Sequence, residues 1–509
     1  MRISNPWIAC TIVFVASFCT LVIELIAGRI MAPYIGVSLY TWTSIIGVCL
    51  AGISLGNYVG GRIADRMASN VTLGVLFLIS GVSSLAILAL IDYVLTFEIG
   101  RSIPLMARIV AYTSGIFFLP TFILGTISPV VIKLSLVDLS RTGSIVGRIY
   151  AVSTAGSIVG TFVTGFYLIE ALGTRSIVWV VSVVLIVMGL VIGQFWRTPV
   201  RAAAVVLVLA ILSVFVSYRE SFAAPCVKES SYYCIRISQA TLDGRSVKSL
   251  VLDHLVHSYV DLDDPKFIGY GYERVYSELT EWHVSGKPGF RTLSIGGGGY
   301  TFPKYVAAFY PGAHADVLEI DPDVTQAAHD RLNLPFDERI RTFNQDARLW
   351  FIENQPVGQY DLVYGDAFND LSVPYHLTTL EFDRMVRRSM RDDGILMTNI
   401  IDNYRSGEFL RAYLRTLTES FEHVYLFGLG AAWEGRGAST YVAVASPSRL
   451  DVASFVEFEG QTTRRQKFTA VMDAQMLRDY LESGRRIVLT DDYAPVDNLV
   501  ARLFVERGF

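Results

Sequence analysis

Two patterns of hydrophobic positions divide the chain. Long apolar runs follow one another up to about residue 220, and beyond it short apolar runs alternate with amphipathic stretches. A run of about 20 apolar residues can cross a bilayer as an α-helix. The pattern therefore predicts seven membrane spans: 7–27, 39–59, 71–91, 105–132, 144–169, 176–196 and 202–218. The first is not a cleaved signal peptide, because it carries Glu24, lacks a small-residue cleavage site and is followed by further spans.

Glycines and one acid stand out within the spans. Glycines in the second and fifth spans recur at a spacing that lets helix backbones approach closely in lipid. They are Gly47, Gly52, Gly56, Gly60 and Gly61, then Gly143, Gly147, Gly156, Gly160 and Gly165. Glu24 lies deep in the first span, where an ionisable side chain is costly and usually has a partner or a function. It either pairs with a base on a neighbouring helix or lines a polar path for a cationic molecule.

The second part of the chain reads as a mixed α/β structure. Residues 230–262 alternate apolar and polar positions around Asp243-Gly244, which predicts a β-hairpin module. From Leu293 onward, strands alternate with helices, which predicts a parallel sheet covered on both faces. The predicted fold is a multi-pass α-helical membrane domain (1–220), a small β-module (221–285) and an α/β Rossmann-like domain (286–509).

Composition and charge support this division. The chain of 509 residues is 52% hydrophobic and only 18% charged, with a mean hydropathy of +0.42. Soluble chains carry about 25% charged residues, so a membrane protein is indicated and a disordered or fibrous chain is excluded. Residues 1–220 carry a net charge of +6 and the remainder −10. The acidic part argues against a nucleic-acid partner.

The cysteines leave one question open. Cys226 and Cys234 are the only two in the second part, and they are eight residues apart. An even pair suggests a disulfide in an exported domain, and free thiols are equally compatible with the sequence. No Cys-x-x-Cys motif is present. We expect no metal and no permanently bound cofactor.

A glycine run and a series of acids carry the chemistry. The predicted strand 291–295 ends in four glycines, 296–299, which let a backbone approach a ligand closely. Glu319 ends the next strand, at a distance suited to a ribose diol. Asp346 follows a third strand, where it could receive an adenine amino group, and Asp366 follows a fourth. This order predicts a nucleoside site at the carboxyl edge of the sheet. The alternative is a doubly wound domain whose acids cap helix starts.

These motifs resemble the spermidine synthases, the polyamine aminopropyltransferases. The resemblance rests on Ser-Ile-Gly-Gly-Gly-Gly (294–299), Leu-Glu-Ile-Asp (318–321), Gln-Asp-Ala-Arg (345–348) and Tyr-Asp-Leu-Val-Tyr-Gly-Asp (360–366). It covers roughly residues 230–500. The whole architecture is similar to bacterial membrane-fused members. The resemblance implies a methyltransferase-type fold. It also implies S-adenosylmethionine or its decarboxylated form as co-substrate, an amine such as putrescine as acceptor, and 5'-methylthioadenosine as product.

The resemblance also implies residue roles. Gly296, Gly297 and Gly298 would cradle the sulfonium nucleoside, Glu319 its ribose, and Asp346 with Ala347 its adenine. Asp366 would bind and deprotonate the amine, which Tyr276 would orient. The residues expected in the acceptor pocket are His257, Tyr364, Asp370 and His376. The chemistry agrees, because an alkylammonium must lose a proton before it can attack carbon, and a carboxylate can accept it.

Two departures from the family pattern keep other functions open. Gly299 and Tyr300 replace a family Asp-Gly, and Ala367-Phe368 follow Asp366 where the family has a second acid nearby. Fewer acids would better tolerate S-adenosylmethionine itself. A lyase or cyclase acting on that donor without an amine is therefore the first alternative. A polyamine transporter or sensor with a regulatory nucleoside-binding domain is the second.

The expected location is a bacterial inner membrane, with the lipid bilayer as a partner and a homodimer left open. Basic residues between the spans favour an N-terminus inside, which with seven spans would put the second part outside. A cytosolic donor favours a cytoplasmic catalytic domain instead, and this is the side we expect.

Overall fold

The chain folds into two units, Met1–Ser231 and Tyr232–Phe509. The computed structural model describes residues 5–94, 103, 105–136, 139–197, 206, 210, 214, 217, 226–367, 373–430, 432–435, 437–460 and 468–507.

The first unit is helical. Its α-helices are α1 Pro6–Ile35, α2 Leu39–Met67, α3 Asn70–Val94, α4 Leu105–Thr113, α5 Leu119–Gly125, α6 Ile127–Ser135, α7 Thr142–Val163, α8 Ile169–Leu172 and α9 Thr174–Gly193. Shorter elements are the π-helical turns Ser114–Phe118 and Thr164–Leu168, the 3-10 turns Leu139–Arg141 and Phe195–Arg197, and strand β1 Lys228–Glu229.

Within the described residues, six helical segments are long and apolar enough to cross a membrane. They coincide with the first six predicted spans, whereas the seventh, 202–218, lies outside the described residues apart from isolated positions. Many large apolar side chains on these helices are exposed, including Leu50, Leu55, Phe162 and Val187. Exposed apolar side chains of this density suit a lipid environment.

Glycines allow close packing at some of the predicted positions. A Cβ atom at Gly60 of α2 would lie 2.6 Å from the Thr126 carbonyl oxygen, and one at Gly160 of α7 would lie 2.8 Å from the Phe18 carbonyl oxygen. The two glycine stripes therefore face different partners, the α5–α6 region and α1. Gly47, Gly61, Gly143, Gly147 and Gly165 have open space beside them, so the close packing uses only part of the glycine pattern.

The second unit contains two sheets. Its strands are β2 Cys234–Leu242, β3 Arg245–Leu252, β4 Leu255–Val260, β5 Phe290–Ile295, β6 Ala313–Leu318, β7 Ile340–Phe343, β8 Tyr360–Gly365, β9 Met390–Asp402, β10 His423–Leu429, β11 Ser439–Ser446 and β12 Thr469–Val471. Its α-helices are α10 Gly271–His283, α11 Thr301–Phe309, α12 Pro322–Arg331, α13 Ala347–Asn354, α14 Leu380–Ser389, α15 Phe409–Thr418, α16 Val452–Glu457, α17 Ala474–Glu482 and α18 Val496–Arg507. Two 3-10 turns are Tyr375–Leu377 and Ala432–Glu434.

The predicted hairpin is present as β2 and β3, with β4 added antiparallel to β3. Its turn residues, Asp243 and Gly244, both have positive φ, 51° and 76°. Two consecutive positive φ angles match the right-handed twist of the paired strands, which explains why Asp-Gly forms this turn.

The large sheet has the strand order β12-β10-β11-β9-β8-β5-β6-β7. Strands β5 to β9 pair in parallel, and β11 joins β9 antiparallel. The predicted α/β Rossmann-like fold is therefore confirmed, whereas the prediction of a wholly parallel sheet is wrong at one edge, where β11, β10 and β12 pair antiparallel. Chain order reverses between β5 and β8. Strands β6 and β7 lie on one side of β5, and strands β8 and β9 lie on its other side. Open sheets bind ligands at such a switch point, beyond the carboxyl ends of the strands.

The structure also reports on the cysteines. Cys226 and Cys234 are both disulfide-bonded, whereas Cys10, Cys19 and Cys49 are free. The sequence was compatible with a disulfide or with free thiols at these two positions, and the structure has the disulfide-bonded form.

Gly56 and Gly47 on α2 provide a matched test of the close packing. A Cβ atom at Gly56 would collide with backbone atoms of Phe122, and nothing lies within 4 Å of one at Gly47. We expect Gly56→Ala to lower the melting temperature of the detergent-solubilised chain by several degrees, because the helices must separate. Gly47→Ala should leave it unchanged or raise it slightly, since alanine favours helix. Equal effects of the two substitutions would contradict this packing.

Candidate active site

The glycine run after β5 forms a tight loop at the switch point. Gly296 has φ +99°, and a side chain there would collide with the backbone of Asp366. The Gly297 and Gly298 amides donate to Glu319 Oε2 at 2.9 and 3.0 Å. The Asp321 amide donates to Glu319 Oε1 at 3.0 Å. Glu319 therefore ties the loop after β5 to the end of β6.

Glu319 is buried, with 6% of its surface exposed. Burial raises the pKa of its carboxyl, and the three backbone N–H donors oppose that shift. A buried carboxylate must be hydrogen-bonded to remain stable. These bonds explain why an acid can end a buried strand here.

Asp346 lies one strand further along the sheet edge. Its Oδ1 accepts the Leu349 amide at 3.0 Å and so caps α13, and its Oδ2 is 2.9 Å from His376 Nε2. The hydrogen bond from His376 lowers the pKa of the Asp346 carboxyl. His376, which the sequence predicts in the acceptor pocket, contacts Asp346 and lines the same cavity as that residue.

Asp366 follows β8 and is held from both sides. The Tyr272 hydroxyl donates to its Oδ2 at 2.8 Å, and the Asn399 amide nitrogen donates to its Oδ1 at 3.1 Å. Burial raises the pKa of Asp366 to about 6, against the lowering effect of these two bonds. At neutral pH the carboxyl is therefore mostly ionised, and its pKa is close enough to neutrality for it to gain and lose a proton readily.

Two cavities meet at Asp366. The first has a volume of about 120 Å³ and is lined by Tyr272, Glu273, Tyr276, Tyr364 and Asn399, among others. The second, of about 140 Å³, is lined by Glu319, Asp346, Ala347 and His376, among others. Asp366, His257, Gly296 and Gly298 line both. A ligand in one cavity would thus lie next to a ligand in the other, with one carboxylate reaching both.

The first cavity is walled by aromatic rings. Tyr272 lies edge-on to Tyr276 with ring centroids 5.5 Å apart, and Tyr276 lies 5.3 Å from Tyr364. The Tyr276 hydroxyl donates to the Gly365 carbonyl oxygen at 3.2 Å, and the Tyr364 hydroxyl bonds Thr280 at 2.8 Å. Electron-rich ring faces next to a carboxylate favour a cationic ligand.

Three residues of this cavity escaped the sequence analysis. Tyr272 and Glu273 precede Tyr276 by four and three positions on α10, so the helical repeat could have indicated them. Glu273 is buried, which raises its pKa to about 8, and the nearby Asp366 charge adds to the shift. Asn399 gave no signal, because it lies inside β9. Gly365 of β8 pairs with Thr398 of β9, and this pairing brings their chain neighbours Asp366 and Asn399 together.

The departures from the family pattern also have structural outcomes. The Gly299 amide donates to Ser258 Oγ at 2.9 Å, and the Tyr300 ring is buried with its hydroxyl 2.9 Å from Thr325 Oγ1. Neither residue lines either cavity. Asp370 lies outside the described residues. Within the described residues, no group of three His, Cys, Asp or Glu side chains could hold a metal ion.

Comparison with known proteins gives a consistent likeness. The chain is 33% identical over 132 residues to a polyamine aminopropyltransferase of Vibrio vulnificus, which covers 26% of this chain and 44% of that protein. It is 24% identical over 416 residues to polyamine aminopropyltransferase 1 of Streptomyces coelicolor, which covers 76% of this chain and 74% of that protein. The crystal structure of a probable spermidine synthase from Corynebacterium glutamicum aligns with a TM-score of 0.45 at 20% identity, over 53% of this chain and 96% of that one.

These likenesses confirm the resemblance to polyamine aminopropyltransferases that the motifs predicted. The matched segments span only 44%, 23% and 58% of three of the curated relatives. The 416 residues aligned with the Streptomyces protein exceed the length of Tyr232–Phe509, so that alignment extends into the first unit. No family model matches the chain.

The role of Glu319 in tying the loop can be tested by Glu319→Gln. Glutamine keeps the shape and loses one acceptor oxygen, so either the two loop amides or the Asp321 amide is left without a partner. We expect a destabilisation of about 1–3 kcal/mol, measured as a lower melting temperature of the purified chain. Glu338→Gln, at an exposed position, is the control and should have no effect. Equal melting temperatures for the two variants would refute the role.

Proposed function

We propose that this chain is a membrane-integrated aminopropyltransferase. It would move the aminopropyl group of decarboxylated S-adenosylmethionine to an amine such as putrescine and release 5'-methylthioadenosine. The observation that carries the proposal is the position of Asp366, which borders two cavities at once. A transferase for two substrates needs a base that can reach the acceptor next to the donor. The likeness to polyamine aminopropyltransferases supports the same activity.

The second cavity suits the donor. Gly296, Gly297 and Gly298 would lie against the nucleoside, where side chains would block its approach. Glu319 would accept hydrogen bonds from the ribose hydroxyls, and Asp346 with the Ala347 backbone would contact the adenine. The His376 contact to Asp346 supports this assignment, since it holds the carboxylate at the cavity wall.

The first cavity suits the acceptor. Its aromatic wall and the carboxylate of Asp366 favour a cation, as a protonated amine is. Tyr276 and Tyr364 would pack against its alkyl chain, and His257 would lie where the two substrates meet.

The reaction needs one proton transfer and one substitution. The bound ammonium gives a proton to the Asp366 carboxylate, and the neutral nitrogen then attacks the aminopropyl carbon attached to sulfur. The new C–N bond forms as the C–S bond breaks, and the bonding electrons go to sulfur. Methylthioadenosine leaves as a neutral thioether, so its departure requires no acid.

A second candidate is a lyase or cyclase acting on S-adenosylmethionine without an acceptor. It rests on the sequence alone, because Gly299 stands where the family has an acid but lines neither cavity. Without that acid, a donor that keeps its carboxylate meets less repulsion. The donor's own atoms would then supply the nucleophile or the proton that leaves.

The location proposed is a bacterial inner membrane, with six or seven spans before the catalytic domain. The disulfide-bonded state of Cys226 and Cys234 favours an oxidising compartment for the region around them. The donor is made in the cytosol, however, and a transferase without its donor has no function. We therefore keep the cytoplasmic side for the catalytic domain.

An assay of the purified full chain separates the candidates. Methylthioadenosine released from the decarboxylated donor only when putrescine is present would support the transferase. Release from S-adenosylmethionine without an amine would support the lyase or cyclase. No turnover with either donor would favour a transporter or sensor and overturn both.

Asp366→Asn tests the base within the same assay. We expect a loss of activity of at least about 100-fold, as is typical when a general base is removed. Asp392→Asn, at an exposed position, should keep full activity. The wild-type rate should fall as the pH drops through about 6, because a protonated Asp366 cannot accept a proton. Near-full activity of Asp366→Asn would refute the assignment.

Protease treatment of spheroplasts tests the side of the membrane. We expect a C-terminal tag on the full chain to survive protease outside intact spheroplasts and to be removed after lysis. A cytoplasmic marker protein monitors leakage. Removal of the tag while the marker stays intact would overturn the cytoplasmic assignment and agree with the disulfide.

A further inference from the structure

One wall of the second cavity comes from the segment between β8 and α14. Pro374, His376 and Leu377 of this segment line the cavity together with Asp346. The segment contains the short 3-10 turn Tyr375–Leu377, which has few hydrogen bonds of its own. The position of this wall must therefore be set by contacts from other parts of the fold.

Arg348 provides such contacts. It follows Asp346 by two positions and lies in the first turn of α13. Its Nη1 donates to the His376 carbonyl oxygen at 3.0 Å, to Thr379 Oγ1 at 3.2 Å and to Asp491 Oδ1 at 2.7 Å. One guanidinium therefore joins the start of α13, the 3-10 turn and the C-terminal part of the chain.

Asp491 holds this guanidinium from the opposite side. Its two oxygens accept from both Arg348 terminal nitrogens, and its Oδ1 also accepts the Thr379 hydroxyl at 2.8 Å. A bidentate pair of this kind fixes the plane of the guanidinium as well as its distance. The hydrogen bond from Arg348 lowers the pKa of the Asp491 carboxyl, so the pair is ionised at neutral pH.

The Arg348–Asp491 pair fixes the backbone of His376, and the ring of His376 reaches Asp346. His376 Nε2 is 2.9 Å from Asp346 Oδ2. The side chains of these two residues are 35% and 20% exposed, and both line the second cavity. Asp346 is thus held at Oδ1 by the Leu349 amide and at Oδ2 by a residue whose backbone Arg348 holds.

We propose that Arg348 and Asp491 are positioning residues of the donor site: they fix the turn at His376, so that its ring holds the Asp346 carboxylate toward the base of the nucleoside. This inference rests on the proposed transferase function, because it takes the second cavity as the donor site. Neither Arg348 nor Asp491 lines that cavity, so both act through His376 and Asp346.

The alternative is that the pair only attaches the C-terminal segment to the domain. That segment has other attachments, because the Leu380 amide donates to the Leu489 carbonyl oxygen at 2.8 Å and the Asp491 amide donates to Glu381 Oε2 at 3.0 Å. Both bonds survive the loss of the Asp491 carboxylate. We therefore expect its removal to affect donor binding more than folding.

Binding of 5'-methylthioadenosine to the purified full chain, measured by calorimetry without amine, tests the inference. We expect Asp491→Ala to raise the Kd about fivefold or more, because the Asp346 carboxylate loses its fixed orientation. Asp492→Ala removes a neighbouring exposed acid and should bind like the wild type. In turnover, the KM for the donor should rise with the Kd. The KM for putrescine should change little, since Asp491 does not line the first cavity.

A double-mutant cycle tests whether Asp491 acts through His376. His376→Leu alone should weaken methylthioadenosine binding by a similar factor. Asp491→Ala should then add little to it, because the contact that Asp491 positions is already absent. His376→Gln keeps an N–H group that can reach Asp346, so it should restore much of the binding.

An unchanged methylthioadenosine Kd in Asp491→Ala, or fully additive effects in the double variant, would overturn this inference. If Asp491→Ala does not fold, Asp491→Asn decides in the same way, because it keeps the shape and loses the charge. Wild-type protein that binds methylthioadenosine without amine-dependent turnover would refute the proposed function alone. Wild-type protein that binds no methylthioadenosine would refute both.

Discussion

The site depends on one constraint, the burial of the Asp366 carboxyl at the junction of two cavities. Its pKa of about 6, against an ordinary 3.8, corresponds to a cost of about 3 kcal/mol when the group is ionised at pH 7. That net cost already includes the opposing effect of Tyr272 and Asn399, which donate one hydrogen bond to each oxygen. This cost favours proton transfer, because a carboxylate whose ionised form is destabilised by burial readily takes a proton.

The sheet supplies the position of this carboxyl. Because β5 and β8 are neighbours at the switch point, their carboxyl ends bring the glycine loop and Asp366 together. The Asp366 amide donates to the Ile295 carbonyl oxygen at 2.8 Å, and the absence of a side chain at Gly296 permits this approach. Glu319 then ties the same loop to the end of β6. The loop at the switch point is thus held largely by backbone groups.

The two units satisfy the hydrogen bonds of their backbone N–H and C=O groups in different ways. In the first unit each helix satisfies its own hydrogen bonds, so its helices can present apolar side chains outward, as lipid requires. Contact between them depends on positions without side chains, such as Gly56 and Gly160. In the second unit the parallel strands satisfy one another, and β8 is buried at every position. The apolar residues of the chain are therefore partly exposed on the helices of the first unit and largely buried in the sheet of the second.

The sequence by itself determined the elements and the main chemistry. Six long apolar helices, the Asp243-Gly244 hairpin, the parallel part of the large sheet, the glycine loop and the strand-end acids were all readable, because each depends on local spacing and residue type. Tertiary structure alone decided which groups face each other. Asn399 and Asp366 are 33 residues apart and meet only through strand pairing. His376 joins Asp346, and the glycine stripes of α2 and α7 take different partners. Such contacts depend on the packing of distant segments, which periodicity along one chain does not encode.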